Sequence, residues 1–176
     1  MKSTLGIIAL LFSLYSCKES VKYSYPKVEF ENYIQCEEFD VALRSEYLEY
    51  CECIQKNQLS FPTKKVERGR LLINDAQIGE PFQFNDEKHL LDASFIEKFR
   101  EIVSDSSNFR WGELGTQHTC YIIEFLDASD KLMNRATITC GGMLGLEPSF
   151  GVTKWGLMNH AADSMLFSLI SKYEKM

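Results

Sequence analysis

The chain has 176 residues, 45% of them hydrophobic and 25% charged, which is the composition of an ordinary globular protein and excludes a disordered or fibrous one. Acidic residues outnumber basic ones 25 to 19, a formal charge of −6, and this balance argues against nucleic acid as a partner. The one basic cluster, Lys64, Lys65, Arg68 and Arg70, is interrupted by Glu67 and reads as a solvated face or a protected sheet edge.

In chain order, the first feature is Lys2 followed by the apolar run Leu5 to Leu14 and then Leu14-Tyr15-Ser16-Cys17. A positive start, a short apolar core and a small residue before a cut describe a secretory signal, and the core is too short to span a bilayer. The segment resembles bacterial lipoprotein signals of the Bacteroidetes type, whose lipobox ends on a cysteine. That resemblance implies that residues 1–16 are removed and that Cys17 is diacylated and becomes the first mature residue. It also implies a membrane partner through the lipid anchor, and a place in the bacterial cell envelope, expected at the outer membrane. Residues 17–35, with Tyr23, Tyr25 and Pro26, read as the tether, and residues 36–176 as a single domain. Removal of 16 residues leaves 176 − 16 = 160, enough for one core.

From Phe39 to Gln58, Leu43, Tyr47, Leu48, Cys51 and Ile54 recur at helical spacing among charged residues, so an amphipathic helix is predicted, ended by Leu59-Ser60-Phe61-Pro62. Lys64 to Asp75 then reads as a strand, with a second short one around Phe82 to Phe84 after the Gly79-Glu80-Pro81 turn. A second helix starts at Asp92 or Ser94 and ends near Asp105, with Leu91, Phe95, Phe99, Ile102 and Val103 on one face. Gln117 to Leu126 and Lys131 to Cys140 form a hairpin around Asp127-Ala128-Ser129-Asp130. Two carboxylates there fall short of calcium's six to eight oxygens, and turn chemistry accounts for them. Gly141 to Gly156 holds five glycines and Pro148, with room for one more strand. The last helix opens on Asn159 and carries the stripe Ala162, Met165, Leu166, Leu169, Ile170 and Tyr173. The order predicts an α+β fold: an antiparallel sheet with helices packed on one face, preceded by the N-terminal amphipathic helix.

Beyond Cys17 there are five cysteines: Cys36, Cys51, Cys53, Cys120 and Cys140. In an exported chain they are disulfide candidates, and the odd count leaves at least one unpaired. Cys51 and Cys53 stand about 200° apart around a helix and cannot share one tetrahedral ion, which disfavours zinc. The Tyr50-Cys51-Glu52-Cys53 segment, with Phe61-Pro62 after it, resembles a helical Tyr-Cys-x-Cys segment of small exported Bacteroidetes proteins. The resemblance implies a helix-bridging disulfide, expected between Cys36 and one of the helical pair. Cys120 and Cys140 would lie opposite one another only in a register whose paired numbers sum to 120 + 140 = 260; a four-residue loop gives an odd sum and sends the thiols to opposite faces. Alternation does not choose between these registers, and the reading taken is that no bridge forms there.

An enzyme reading would use Cys140 as nucleophile, His118 or His160 as base, and Asp163 or Glu113 to orient the imidazole. The spacing matches no cysteine-hydrolase signature, and strand-end and helix-start roles account for the same residues. No metal or cofactor ligand set emerges. Trp111 and Trp155 both sit in glycine-flanked connections, where tryptophans anchor binding surfaces or close a core. The leading expectation is a non-catalytic lipid-anchored envelope domain that binds a protein partner or a small ligand through these loops. The alternatives are an immunity or inhibitor lipoprotein that captures a basic toxin or secreted hydrolase, and a thiol-dependent enzyme centred on Cys140.

Overall fold

Asp127 fixes the tip of the hairpin at the middle of the sheet. Its Oδ1 accepts hydrogen bonds from the Ser129 and Lys131 backbone N–H groups and the Ser129 hydroxyl, at 2.7 to 3.0 Å. These bonds hold its carboxyl below the usual carboxylate range and lock the turn that joins strands β4 (Thr119–Leu126) and β5 (Leu132–Thr139). The computed structural model describes residues 36, 44–77, 83, 89–112 and 118–174. Cys17, the tether, Glu113, Phe82 and Phe84 lie outside the described residues, as does the stretch from Phe39 to residue 43.

Around that hairpin, β1 (Arg68–Ile73), β2 (His89–Leu91) and β6 (Leu144–Glu147) complete an antiparallel sheet of order β2-β1-β4-β5-β6. A smaller pair joins β3 (Phe109–Arg110) to β7 (Leu157–Met158). The helices are α1 (Arg44–Lys56), α2 (Ala93–Ser104) and α3 (His160–Ile170), so the fold is α+β. Asp92 caps α2 by accepting from the Phe95 N–H at 2.8 Å, which selects the earlier of the two starts predicted, and Asn159 caps α3 through Ala162 N at 2.9 Å. At the end of α1 the chain turns through Gln58 at φ 52°, with Leu59 N bonded back to Ile54 O at 3.0 Å. This is a Schellman-like stop without the usual glycine.

One face of the sheet is apolar. Leu71, Ile123, Ala136 and Leu146 form a cross-strand row, and Ile73, Tyr121, Ile138 and Leu144 the next. Helices α2 and α3 cover this face: Phe99 meets Phe125 with ring centroids 5.1 Å apart, and Tyr121 meets Phe167 at 5.7 Å. Phe61, fully buried, touches Phe99, Phe125 and Phe150 and joins the segment after α1 to this core. Each buried phenylalanine contributes about 1.5 to 3 kcal/mol by leaving water. The opposite face carries a row of alternating charge. Arg70 pairs with Glu124 at 2.8 Å, and Arg135 lies 3.9 Å from Glu124 and 3.3 Å from Glu147.

Three expectations change. Strand β1 is not an edge: it runs between β2 and β4, and its arginines pair with carboxylates, Arg68 with Asp130 at 3.2 Å and Arg70 with Glu124. Its outer neighbour is β2, His89–Leu91. Leu48 and Met165, placed in apolar stripes, are exposed, while Leu166 is buried as the stripe predicts and Tyr50, outside the stripe, also faces inward. The largest change concerns Cys120 and Cys140, which are disulfide-bonded with Cα atoms 5.5 Å apart. From Phe125 opposite Asn134 to Tyr121 opposite Ile138 the hairpin keeps an odd-sum register, but the ladder then shifts so that Thr119 faces Thr139. A bulge of one residue at Cys120 reverses the parity of the strand and brings the two sulfurs together. A uniform register had been assumed on both alternatives, and the bulge removes that assumption.

Candidate binding surface

Away from the sheet's apolar face, α1 and the loop between β6 and α3 form a corner fastened by directional bonds. Tyr47 and Tyr50 are buried on one side of α1. The Tyr47 hydroxyl donates to Val152 O at 2.7 Å, and the Tyr50 hydroxyl accepts from Gly151 N–H at 2.9 Å, across more than a hundred residues of sequence. Together they hold the 3-10 turn Gly151–Thr153 against the helix. Burial is the main cause that raises both phenols above the ordinary tyrosine value; for Tyr47 the neighbouring Cys51 adds to it.

The next three residues set the surface. Lys154 adopts φ 57°, and its ammonium donates to Ser106 O at 2.9 Å and to Phe109 O, so the cation is spent on the chain leaving α2. Gly156 lies at φ 77°, and a Cβ there would strike the Leu144 carbonyl, while Leu144 N–H donates to Gly156 O at 2.8 Å. Only glycine permits both the backbone conformation and this approach. Trp155, held between them, is 44% exposed. Pairing of β3 with β7, Arg110 opposite Leu157, brings Trp111 alongside, and the two indoles meet edge to face with centroids 5.0 Å apart. Trp111 in turn meets Tyr47 at 5.4 Å, so Tyr47, Trp111 and Trp155 form a continuous aromatic path from α1 to the surface. Lys154 Nζ lies 5.7 Å from the Tyr47 ring centre, a cation–π contact at the base of that path. Beside Trp155 a cleft of about 180 Å³ opens between β6 and the returning loop, walled by Leu144, Leu146, Ser149 and Thr153.

The two predicted anchors, Trp111 and Trp155, are thus brought together. Cys36 is bonded to Cys53, Cα atoms 6.0 Å apart, and Cys51 is free. Burial pushes the Cys51 thiol up, against smaller opposing effects of Tyr47 and Lys154, and this favours the inert protonated form. Cys140 has its sulfur in the bond to Cys120 and, in that bond, offers no thiolate. Of the residues grouped with it, His118 lies by Asn74, 3.4 Å from its side-chain amide, His160 is exposed at the start of α3, and Asp163 lies against Gly142. Among the described residues no cluster of three or more His, Cys, Asp or Glu side chains converges as a metal site would.

Sequence reasoning missed the contribution of Tyr47, Tyr50 and Lys154. Tyr47 carries a helical spacing that marks it as buried but not as a hydrogen-bond donor to a loop 105 residues away. Lys154 carries no signal beyond its place before Trp155-Gly156. A comparison of the chain with protein-family models, curated proteins and solved structures finds no match.

Proposed function

We propose that the chain is a non-catalytic, lipid-anchored domain of the bacterial cell envelope that binds a protein partner or small ligand through the surface around Trp155. The observation that carries the reading is the aromatic path Tyr47, Trp111, Trp155, which ends in a large, partly exposed indole on a loop fastened by bonds from Tyr47, Tyr50 and Lys154. An indole held in place beforehand loses little conformational freedom on binding, which is why tryptophan so often anchors interfaces. Two disulfides accord with an oxidising compartment, and the lipobox-like segment ending at Cys17 supplies the anchor in this reading.

The test uses the full chain expressed in a lipoprotein-processing bacterium. Fatty-acid label is expected on the wild-type chain and absent from Cys17→Ala. Cross-linking in intact envelopes is expected to join the wild-type chain to one partner, lose it in Trp155→Ala and keep it in Leu90→Ala, which removes a different exposed apolar side chain on the sheet edge. Equal cross-linking by all three chains would overturn the assignment to Trp155.

A further inference from the structure

A second cavity of about 380 Å³ lies between α1, the end of α2 and the Gly151–Thr153 turn. Its size is within the range of small-molecule sites, roughly 300 to 1,000 Å³. Ile54, Leu59, Phe150 and Val152 give it an apolar wall, and Ser104 and Ser106 line its α2 end, the Ser106 hydroxyl engaged with that of Tyr47 and Ser104 supplying the polar group. Among the described residues that line it none is charged. The nearest cation, Lys154, is held by the Ser106 and Phe109 carbonyls. Cys51, with its thiol kept protonated by burial, forms part of the wall.

We infer that this cavity is a binding site for a small neutral amphiphile, an aliphatic body ending in a hydroxyl or similar uncharged polar group. The apolar wall takes the aliphatic part, whose transfer from water supplies the attraction. The Ser104 hydroxyl, able to donate and accept, matches an uncharged polar end. A carboxylate or ammonium group would lose its hydration against described lining residues that carry no charge, the neighbouring Lys154 being engaged by the Ser106 and Phe109 carbonyls, so ionised amphiphiles are selected against. The cavity also shares the turn with the aromatic corner: Val152 and Phe150 form its wall, while Val152 O accepts from Tyr47 and Gly151 N–H donates to Tyr50. The inference stands on the cavity alone and does not require the partner surface at Trp155.

Cys51 is a built-in reporter, since an occupant must lie against its thiol. The probe is decan-1-ol, with decanoate as its ionised counterpart. At mildly alkaline pH and over hours, so that the small thiolate fraction of Cys51 is alkylated, decan-1-ol at about ten times its Kd is expected to slow iodoacetamide modification of Cys51, read by peptide mass spectrometry, by roughly tenfold. Decanoate at the same concentration is expected to protect far less. Ser104→Trp, an exposed rim position, is expected to keep the melting temperature and lose the protection, with Gln55→Trp as a second rim variant should the first not fold. Trp155→Ala is expected to retain protection in full. An unchanged labelling rate in folded wild-type protein at saturating decan-1-ol, or equal protection in a folded rim variant, overturns the site. Equal protection by decanoate overturns the selection for a neutral ligand.

Discussion

The sheet core and the aromatic corner are held together by different physics. In the core, Phe61, Phe95, Phe99, Phe125 and Leu166 are buried against one another without need of any particular bond, and the energy is spread over many contacts. In the corner, a short loop is fixed by a few bonds from Tyr47, Tyr50 and Lys154, each made by one atom. A core of the first kind loses stability in proportion to the volume removed. A corner of the second kind loses less global stability when one bond is lost but gives up the placement of a side chain, and a binding surface depends on placement.

Four substitutions and one titration sharpen this contrast, taken from the largest effect to the smallest. Phe99→Ala should destabilise by about 3 to 5 kcal/mol, measured by urea unfolding, because the helix-sheet contact with Phe125 and Phe61 leaves a cavity. The double substitution of Cys120 and Cys140 by Ala should cost about 3 kcal/mol by freeing a loop of some twenty residues in the unfolded chain. Tyr50→Phe leaves the Gly151 N–H without its acceptor and should cost about 1 to 2 kcal/mol. Its tryptophan emission should also shift, as the turn that carries Trp155 loosens. A shift without that loss of stability would show that the corner and the core unfold separately.

The titration tests tyrosines in both regions. Tyr121 is pushed up to about 12 by burial and by its hydrogen bond to the Glu174 carboxylate, and Tyr47 and Tyr50 are raised chiefly by burial. A raised phenol favours the neutral folded form. Its contribution is therefore full below the unfolded value of 10.0 and lost as pH rises through the folded value. Ultraviolet titration should show these phenols ionising with unfolding above pH 10 rather than with the exposed ones. Trp155→Ala completes the series, with a change in stability within about 0.5 kcal/mol, as for surface positions, set against loss of partner binding. A large loss of stability would mean that the indole belongs to the core.

The same contrast governs what was legible in the sequence. Helix α2, the β4–β5 hairpin and α3 were readable because their signals are local: the Asp92 and Asn159 caps, the Asp127 turn, and apolar residues at fixed spacing. The corner was not, because its bonds join residues a hundred positions apart and no periodicity marks them. Trp111 and Trp155 could be singled out by residue type and flanking glycines, but their contact depends on the two-residue pairing of β3 with β7, too short to show a pattern. The Cys120 to Cys140 bond was missed for a third reason. A bulge changes which face a residue occupies, and its signal, one extra residue, is invisible until the partner strand is known.

The row Arg70, Glu124, Arg135 and Glu147 makes an error of strand register costly. A shift of β5 against β4 by one residue would carry Arg135 to the side where Ile123 and Phe125 pack, and a shift by two would set it against Ile122 or Leu126. Either error surrounds a guanidinium with hydrocarbon and parts it from Glu124, a penalty of several kcal/mol that a misaligned hairpin must bear before any other strand can dock. Each correctly paired charge presents the sign that the next strand requires, so across four strands the charged face reinforces the alignment that the apolar face favours.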